Sequence, residues 1–345
     1  KNKYGNIEDL LLDVNIVTNA GTIERSGAAP RESIGLNPRI WMLGSEGMFG
    51  IITSAIVKLF PLPEEKVYGS ILFPTFEDGL SFMYELTQEG AQPASVRLVD
   101  NIQFQFGMAL KPKSEGWAAR KSAIEKFFVT KIKGFAPDKM VACTLVIEGS
   151  RAEVAAKEAA IYRLGSRHRG MKAGVANGER GYQLTFGIAY IRDFVMNFHI
   201  LAESFETSVP WSQALTLCDD VKAAVYAEHD SLGLPGKPFV TCRVTQVYDS
   251  GVCIYFYLAY CFKGVEHPTE MFDKLEIKAR ETMLSCGGSL SHHHGVGKIR
   301  KQFLPDIMSP AALAWNRQAK QALDPENIFG CANQMVTNDE ELPSA

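Results

Sequence analysis

The sequence has no apolar run near the about 18 residues that a membrane-spanning helix needs. Its longest apolar stretch, "GVCIYFYLAYCF" from Gly251 to Phe262, reads as a buried strand. There is no C-x-x-C pair. Seven cysteines, at 143, 218, 242, 253, 261, 286 and 331, are scattered through apolar segments, which points to reduced, buried thiols of an intracellular protein. Neither sign of charge dominates: the formal net charge is -3, so no general attraction to nucleic acid or an anionic membrane follows. No H-E-x-x-H and no G-x-x-x-x-G-K-[ST] occurs, and internal repeats are absent. The chain starts in patterned sequence, "KNKYGNIEDLLLDVNIV", without an initiator Met or targeting segment, which gives the expectation of the C-terminal part of a longer protein.

What is present is an ordinary globular composition over 345 residues, 46% hydrophobic and 22% charged, enough for two domains. Residues 1 to 60 alternate short β-type runs with turns. "DLLLDVNIVT" turns at Asn19-Ala20-Gly21 into "TIERS", and a glycine-rich loop then runs into a strand that Pro61 and Pro63 stop. Beyond that, strands interleave with helices. "TFEDGLSFMYELTQEG" sets Phe76, Leu80 and Met83 on one helical face and ends at Gly90. "MVACTLVIEG" is a strand, and 151 to 165 is a helix. The next helix takes Ser212 as N-cap and Leu217, Val221 and Val225 as its stripe. A hairpin turns at Asp249-Ser250-Gly251, and a helix from about Thr269 stops at Gly287-Gly288. The pattern predicts an α+β fold, with helices on one face of an antiparallel sheet.

Four groups of residues carry chemistry. "GSEGMFG", Gly44 to Gly50, is a loop whose backbone can approach an anionic or planar ligand, or simply a structural turn. On the 252–262 strand, Cys253, Tyr255, Tyr257, Ala259 and Cys261 share one face, while Ile254, Phe256, Leu258, Tyr260 and Phe262 form the core face. Arg243 and Thr245 on the partner strand can accompany the phenols. Tyr255 is then either a satisfied core tyrosine or a proton-transfer group whose pKa falls beside cations. Arg97 and Arg192 sit in apolar surroundings, either in ordinary ion pairs with Asp100 and Asp193 or as forks for a phosphate or carboxylate. The run His292, His293, His294 cannot converge on one metal without distortion and has no carboxylate within it. It reads as a proton-transfer and hydrogen-bonding loop beside Gly295, Gly297 and Lys298, with no metal expected.

Taken together, "YGNIEDL", "GSEGMFGIIT", "ASVRLVDNIQFQFG", "AYIRDF", "ESFETSVPW", "TCRVTQVYDSGVCIYFY", "GGSLSHHHGVGKIRKQ" and "DPENIFG" resemble the alkyl-dihydroxyacetone-phosphate synthase family, of the vanillyl-alcohol-oxidase-like FAD superfamily. The resemblance runs along nearly the whole chain. It implies an ether-lipid enzyme that exchanges the acyl chain of 1-acyl-dihydroxyacetone phosphate for a long-chain fatty alcohol, without net redox change, through a covalent adduct at flavin N5. It implies FAD as cofactor, with Gly44, Ser45, Glu46, Gly47, Met48, Phe49 and Gly50 in the FAD-contacting loop. The loop departs from the family pattern at Met48 and Phe49, where Thr and Leu are expected. Tyr255 matches the family's proton donor and acceptor, Arg192 its substrate-binding arginine, Arg97 an arginine required for activity, and His292 to His294 its activity-critical triplet. The fold implied is part of a two-subdomain FAD-binding domain plus a substrate (cap) domain. Residues 1–74 supply half of the FAD-binding domain, 75–286 the cap domain, and 287–345 a segment returning the histidine loop to the flavin. A homodimer, peroxisomal residence and optional peripheral membrane association follow from the resemblance alone. The rival readings are an FAD-linked hydroxy-acid dehydrogenase of the D-lactate type, a zinc hydrolase using the histidines, and an inactive fragment.

Overall fold

A computed structural model describes residues 2–24, 33, 35–37, 41–110, 116–330 and 333–334. The chain divides into two compact units. The smaller takes Tyr4–Pro61 and the residues from Leu290 onward; the larger takes Leu62–Ser289 with the extreme N-terminus.

The smaller unit opens with a single helical turn, α1 (Ile7–Leu10), and a three-stranded antiparallel sheet of order β2-β1-β3. β1 (Leu11–Thr18) and β2 (Gly21–Ile23) form the expected hairpin. β3 (Ile51–Val57) emerges directly from the glycine loop, and every residue of it is exposed. Leu11, Val14 and Ile16 of β1 pack with Met42, Met48 and Phe49 of the loop region into a small apolar core.

The larger unit continues with β4 (Glu65–Phe73), α2 (Phe76–Gln88), β5 (Ser95–Val99), α3 (Asn101–Ala109), α4 (Gly116–Phe127), β6 (Val141–Gly149) and α5 (Arg151–Arg167). After β7 (Met171–Lys172) come α6 (Val175–Met196), β8 (Ile200–Pro210), α7 (Ala214–Ser231), β9 (Phe239–Val247), β10 (Gly251–Cys261) and α8 (Pro268–Ser285). Seven strands form one antiparallel sheet in the order β7-β4-β6-β5-β9-β10-β8. The chain then re-enters the smaller unit with α9 (Leu304–Ile307) and α10 (Pro310–Leu323), where Trp315 meets Trp41 edge-on at 4.9 Å.

One face of the seven-stranded sheet carries the core. Phe82, Met83 and Leu86 of α2, Ile161 and Leu164 of α5, Val221 and Val225 of α7, and Leu275 and Met283 of α8 bury against Leu98, Leu145, Val244, Ile254, Phe256 and Leu258. Alternation along the strands then sends polar residues to the opposite face. α2 begins where Thr75 accepts the N–H of Asp78, and α5 where Ser150 and Glu153 form a reciprocal capping box. The Ser212 cap expected for α7 is not there. Residues Trp211–Gln213 form a 3-10 turn, and Gln213 occupies the cap position without a side-chain bond. Among the described residues, no helix is long and apolar enough to cross a membrane.

α6 crosses the polar face, and glycine makes this approach feasible. A Cβ at Gly178 would strike the backbone of Gly69, and one at Gly181 the side chain of Thr144. Tyr182 is thereby set against Tyr68, with ring centroids 5.7 Å apart.

Candidate active site

In the smaller unit the glycine loop and the histidine loop are joined. Gly44, Glu46 and Gly47 turn through left-handed φ values of 77°, 51° and 79°. This reversal directs the Glu46 carboxylate at the backbone following the histidines. One oxygen accepts the N–H of Val296 at 2.7 Å and the other that of Gly297 at 2.7 Å. Gly295 has φ 81°, and a Cβ there would run into the same carboxylate. The Gly295 N–H donates to Ser291 Oγ at 3.0 Å, and Arg300 Nη1 donates to its carbonyl at 3.0 Å, which closes the loop around the triplet. Within the run, the His292 and His293 Nδ1 atoms lie 3.0 Å apart, and the His293 and His294 rings meet edge-on at 4.6 Å. His292 is half-buried; His293 and His294 are exposed.

A second set of contacts fixes the far side of the glycine loop. Lys320, buried in α10, donates to the Met48 carbonyl at 2.9 Å and the Phe329 carbonyl at 2.6 Å, and it pairs with Asp324. Asp324 also accepts the N–H of Ile328 at 3.0 Å and of Phe329 at 2.8 Å. These contacts hold its carboxyl below the ordinary range although burial works the other way. Asn333 Nδ2 donates to the Glu46 carbonyl at 3.1 Å. Sequence reasoning missed Lys320, Asp324 and Asn333 as supports, although "DPENIFG" contains Asp324.

In the larger unit the polar sheet face gathers Arg97, Arg243, Tyr255 and Tyr257. Cross-strand register sets Tyr255 between Arg243 on β9 and Glu206 on β8. The Tyr255 hydroxyl shares a 3.0 Å hydrogen bond with Ser204 Oγ, and the Arg243 guanidinium lies over the Tyr255 ring at 5.0 Å and the Tyr257 ring at 4.9 Å. The expectation of a lowered Tyr255 pKa is overturned. Burial raises it, the Ser204 bond and the Arg243 charge oppose that, and Glu206 and Glu203 add to it. The phenol therefore keeps its proton at neutral pH. Tyr257 is raised too, burial again being the largest cause. Ser204 and Glu206 had been quoted only inside "ESFETSVPW"; alternation along a strand was the signal that could have found them.

The two arginines differ. Arg97, half-buried, lies over the Tyr182 ring at 5.3 Å. Asp100, the ion-pair partner suggested by sequence, is engaged elsewhere: it caps α3 and binds Thr241, the Cys242 N–H and Lys222. Arg192, on α6, has the ordinary partners: Asp193 at 3.2 Å and Glu203 at 3.8 Å, with its side chain half exposed. Glu203 links the two sites electrostatically, since it also acts on Tyr255. At the end of the larger unit, Ser289 is fixed to β8. Its Oγ accepts the Ser208 N–H at 2.9 Å, and Thr207 Oγ1 donates to its carbonyl at 2.6 Å.

An antiparallel sheet with its core helices on one face, and with α6 crossing a tyrosine–arginine cluster on the other, where the sequence pattern predicts helices on one face alone, defines the class. The family model described as FAD linked oxidases, C-terminal domain, matches residues 62–332, and the chain belongs to that family. Its likeness narrows further. The chain is 46% identical to the alkyldihydroxyacetonephosphate synthase of Caenorhabditis elegans, over 96% of this chain and 56% of that protein. It is 30% identical to the synthase of Dictyostelium discoideum, over 98% of this chain and 55% of that one. A solved alkyldihydroxyacetonephosphate synthase structure superposes with a TM-score of 0.75 at 25% identity, covering 95% of this chain and 54% of its own. The chain thus spans little more than half the length of these relatives.

The cofactor of the family is FAD. The glycine loop fits it in one respect: at Gly44 and Gly47 the space that a Cβ would enter is open, so the backbone can meet a flat ring closely.

Proposed function

We propose that the protein containing this chain is an alkyldihydroxyacetonephosphate synthase. It exchanges the acyl chain of 1-acyl-dihydroxyacetone phosphate for a long-chain fatty alcohol. The observation carrying this reading is the 46% identity to such a synthase over 96% of the chain, which includes the tyrosine strand and both loops of the smaller unit. The C1–O bond to the carboxylate breaks, a new C1–O bond forms to the alcohol oxygen, and the hydroxyl proton leaves with the fatty acid. Electrons balance, so no external oxidant is consumed.

Bound FAD supplies the group through which one substituent on C1 is replaced by the other. The remaining work falls to the chain. Tyr255, protonated and oriented by Ser204, starts as a proton donor; once it has given that proton up, its phenolate can accept the one at C1, which is acidic beside the ketone. Arg97 and Arg192 hold the anionic substrate through fixed positive charge. His292 to His294 hydrogen-bond to developing negative charge on oxygen. The Gly44–Gly50 backbone would hold the flavin, and Glu46 ties that loop to the backbone after the histidines.

The test sets two chemistries against each other in the full-length, FAD-loaded protein. Supplied with acyl-dihydroxyacetone phosphate and hexadecanol, it forms alkyl-dihydroxyacetone phosphate and free fatty acid while the flavin absorbance stays oxidised. Anaerobic bleaching of the flavin by D-lactate or a related hydroxy acid, with no ether formed, replaces this reading with a dehydrogenase.

A further inference from the structure

We propose that Arg243 is a positioning residue for Tyr255. Set over the phenol ring, it fixes that ring in place and stabilises the negative charge that the phenolic oxygen carries between giving up one proton and taking the next. The proposal deepens the reading above, on which the proton transfer rests; the pairing itself rests on the sheet geometry.

An irregularity in the sheet creates the pairing. Cys253 of β10 stands opposite Gln246 of β9, but the next residue, Ile254, stands opposite Val244. β9 therefore holds one extra residue, Thr245, at this point. Counted on without it, the register would put Tyr255 opposite Val244, which is fully buried in the core. With it, Tyr255 stands opposite Arg243, and both side chains leave on the polar face. A bulge of this kind re-aims a side chain and gives up regular ladder pairing to do so.

The guanidinium is held by what it touches. It lies over the Tyr255 ring at 5.0 Å and the Tyr257 ring at 4.9 Å, and the two rings are 5.4 Å apart. It is also hydrogen-bonded to Tyr257. Tyr257 thus fixes the cation, and the cation fixes Tyr255. On the other side of Tyr255, the Ser204 hydroxyl of β8 shares the 3.0 Å bond with the phenolic oxygen.

The proton transfer takes Tyr255 through an anionic state. Burial opposes that state most. The Ser204 bond and the Arg243 charge favour it, while Glu206 and Glu203, both on β8, oppose it. Glu206 stands directly opposite Tyr255 across β8 and β10. Ser204 offers one neutral hydroxyl, so the full positive charge set against the ring is that of Arg243. Removing it leaves a half-buried phenolate beside two acids.

The test reads Tyr255 by itself in the full-length, FAD-loaded protein. Difluorotyrosine built in at position 255 ionises at a lower pH than tyrosine, where the fold is intact, and fluorine NMR follows that one phenol without substrate. Arg243→Gln raises its pH of half-ionisation by about one unit or more. In the unlabelled protein the same variant lowers kcat about 10-fold, with KM for both lipids changed by less than about twofold. Arg243→Lys keeps the charge but not the flat guanidinium. It falls between wild type and Arg243→Gln on both counts, and it carries the test if the Gln variant does not fold. Tyr257→Phe, which releases the cation, moves the ionisation in the same direction by less. A role in folding alone lowers stability and leaves the pH of ionisation where it was, which overturns the proposal. A shifted ionisation with kcat unchanged overturns it too. If wild type forms no ether while Arg243→Gln still shifts the ionisation, the synthase reading fails and the pairing stands; ether formation by wild type with no shift in Arg243→Gln does the reverse.

Discussion

Glu46 accepts the backbone N–H of Gly297 at 2.7 Å, and its second carboxylate oxygen accepts that of Val296 at the same distance. One side chain in the glycine loop thereby sets the backbone that follows the three histidines. Both bonds involve a charged acceptor, each worth about 1.5–3 kcal/mol in such settings.

Glu46→Gln keeps the size of the side chain but leaves one acceptor oxygen where there were two. Hydrogen exchange at the amides of Val296 and Gly297 is expected to speed by about tenfold or more, with stability lower by about 1–3 kcal/mol. Exchange mass spectrometry of the 291–297 peptide measures it directly. Unchanged protection there means that the carboxylate does not hold the loop.

Gly295→Ala attacks the same contact from the other side. Position 295 has φ 81°, and its Cβ would collide with the Glu46 carboxylate, so the variant has both backbone strain and a displaced acceptor to accommodate. We expect a loss of about 1–3 kcal/mol in urea unfolding, and in the double variant with Glu46→Gln less than the two single losses combined. Strict additivity contradicts the coupling.

Tyr255→Phe separates chemistry from folding. The phenol makes its described hydrogen bond to Ser204 on the polar sheet face, away from the main core, so removing it costs stability about 1 kcal/mol. The proposed proton transfer is lost entirely, and turnover falls about 100-fold to 10,000-fold. Parallel kinetics and thermal melts distinguish this from a merely structural tyrosine, whose loss would move both together.

Five tyrosines make the fold sensitive to alkali. Tyr162, Tyr226, Tyr255, Tyr257 and Tyr260 are all held above the ordinary phenol value, burial being the largest cause in each. Below pH about 10 both folded and unfolded chains keep these protons, and stability is unaffected. Above it the unfolded chain releases protons that the folded chain retains, so stability falls as pH rises. The urea midpoint is expected to be lower at pH 10.5 than at pH 8, and Tyr255→Phe with Tyr257→Phe narrows that difference.

Much of this architecture is legible in the sequence, for local reasons. The hairpin at Asn19-Ala20-Gly21 and the one at Asp249-Ser250-Gly251 announce themselves by turn residues between alternating runs. Burial of Ile254, Phe256, Leu258 and Tyr260, with Tyr255 and Tyr257 on the other face, follows from a period of two. α6 was not legible. Its glycines at 178, 181 and 187 lower helix propensity, and Gly178 and Gly181 serve close approach across the sheet instead of forming an apolar stripe. The clamp was not legible either, because Glu46 and Val296 are 250 positions apart and a carboxylate binding backbone leaves no partner residue type to search for. The Tyr255 shift was misread because the neighbouring cation is visible in the strand pattern, while the burial and the acids of β8 are not.

The most direct test of the central claim follows the oxygen. Full-length protein loaded with FAD is given acyl-dihydroxyacetone phosphate and hexadecanol carrying heavy oxygen, and the lipids are weighed by mass spectrometry. The account predicts that the label appears in the ether bond, that the released fatty acid carries none, and that Tyr255→Phe slows product formation about 100-fold to 10,000-fold. An ether without the label, or labelled fatty acid in its place, would contradict the exchange at C1 on which the account rests.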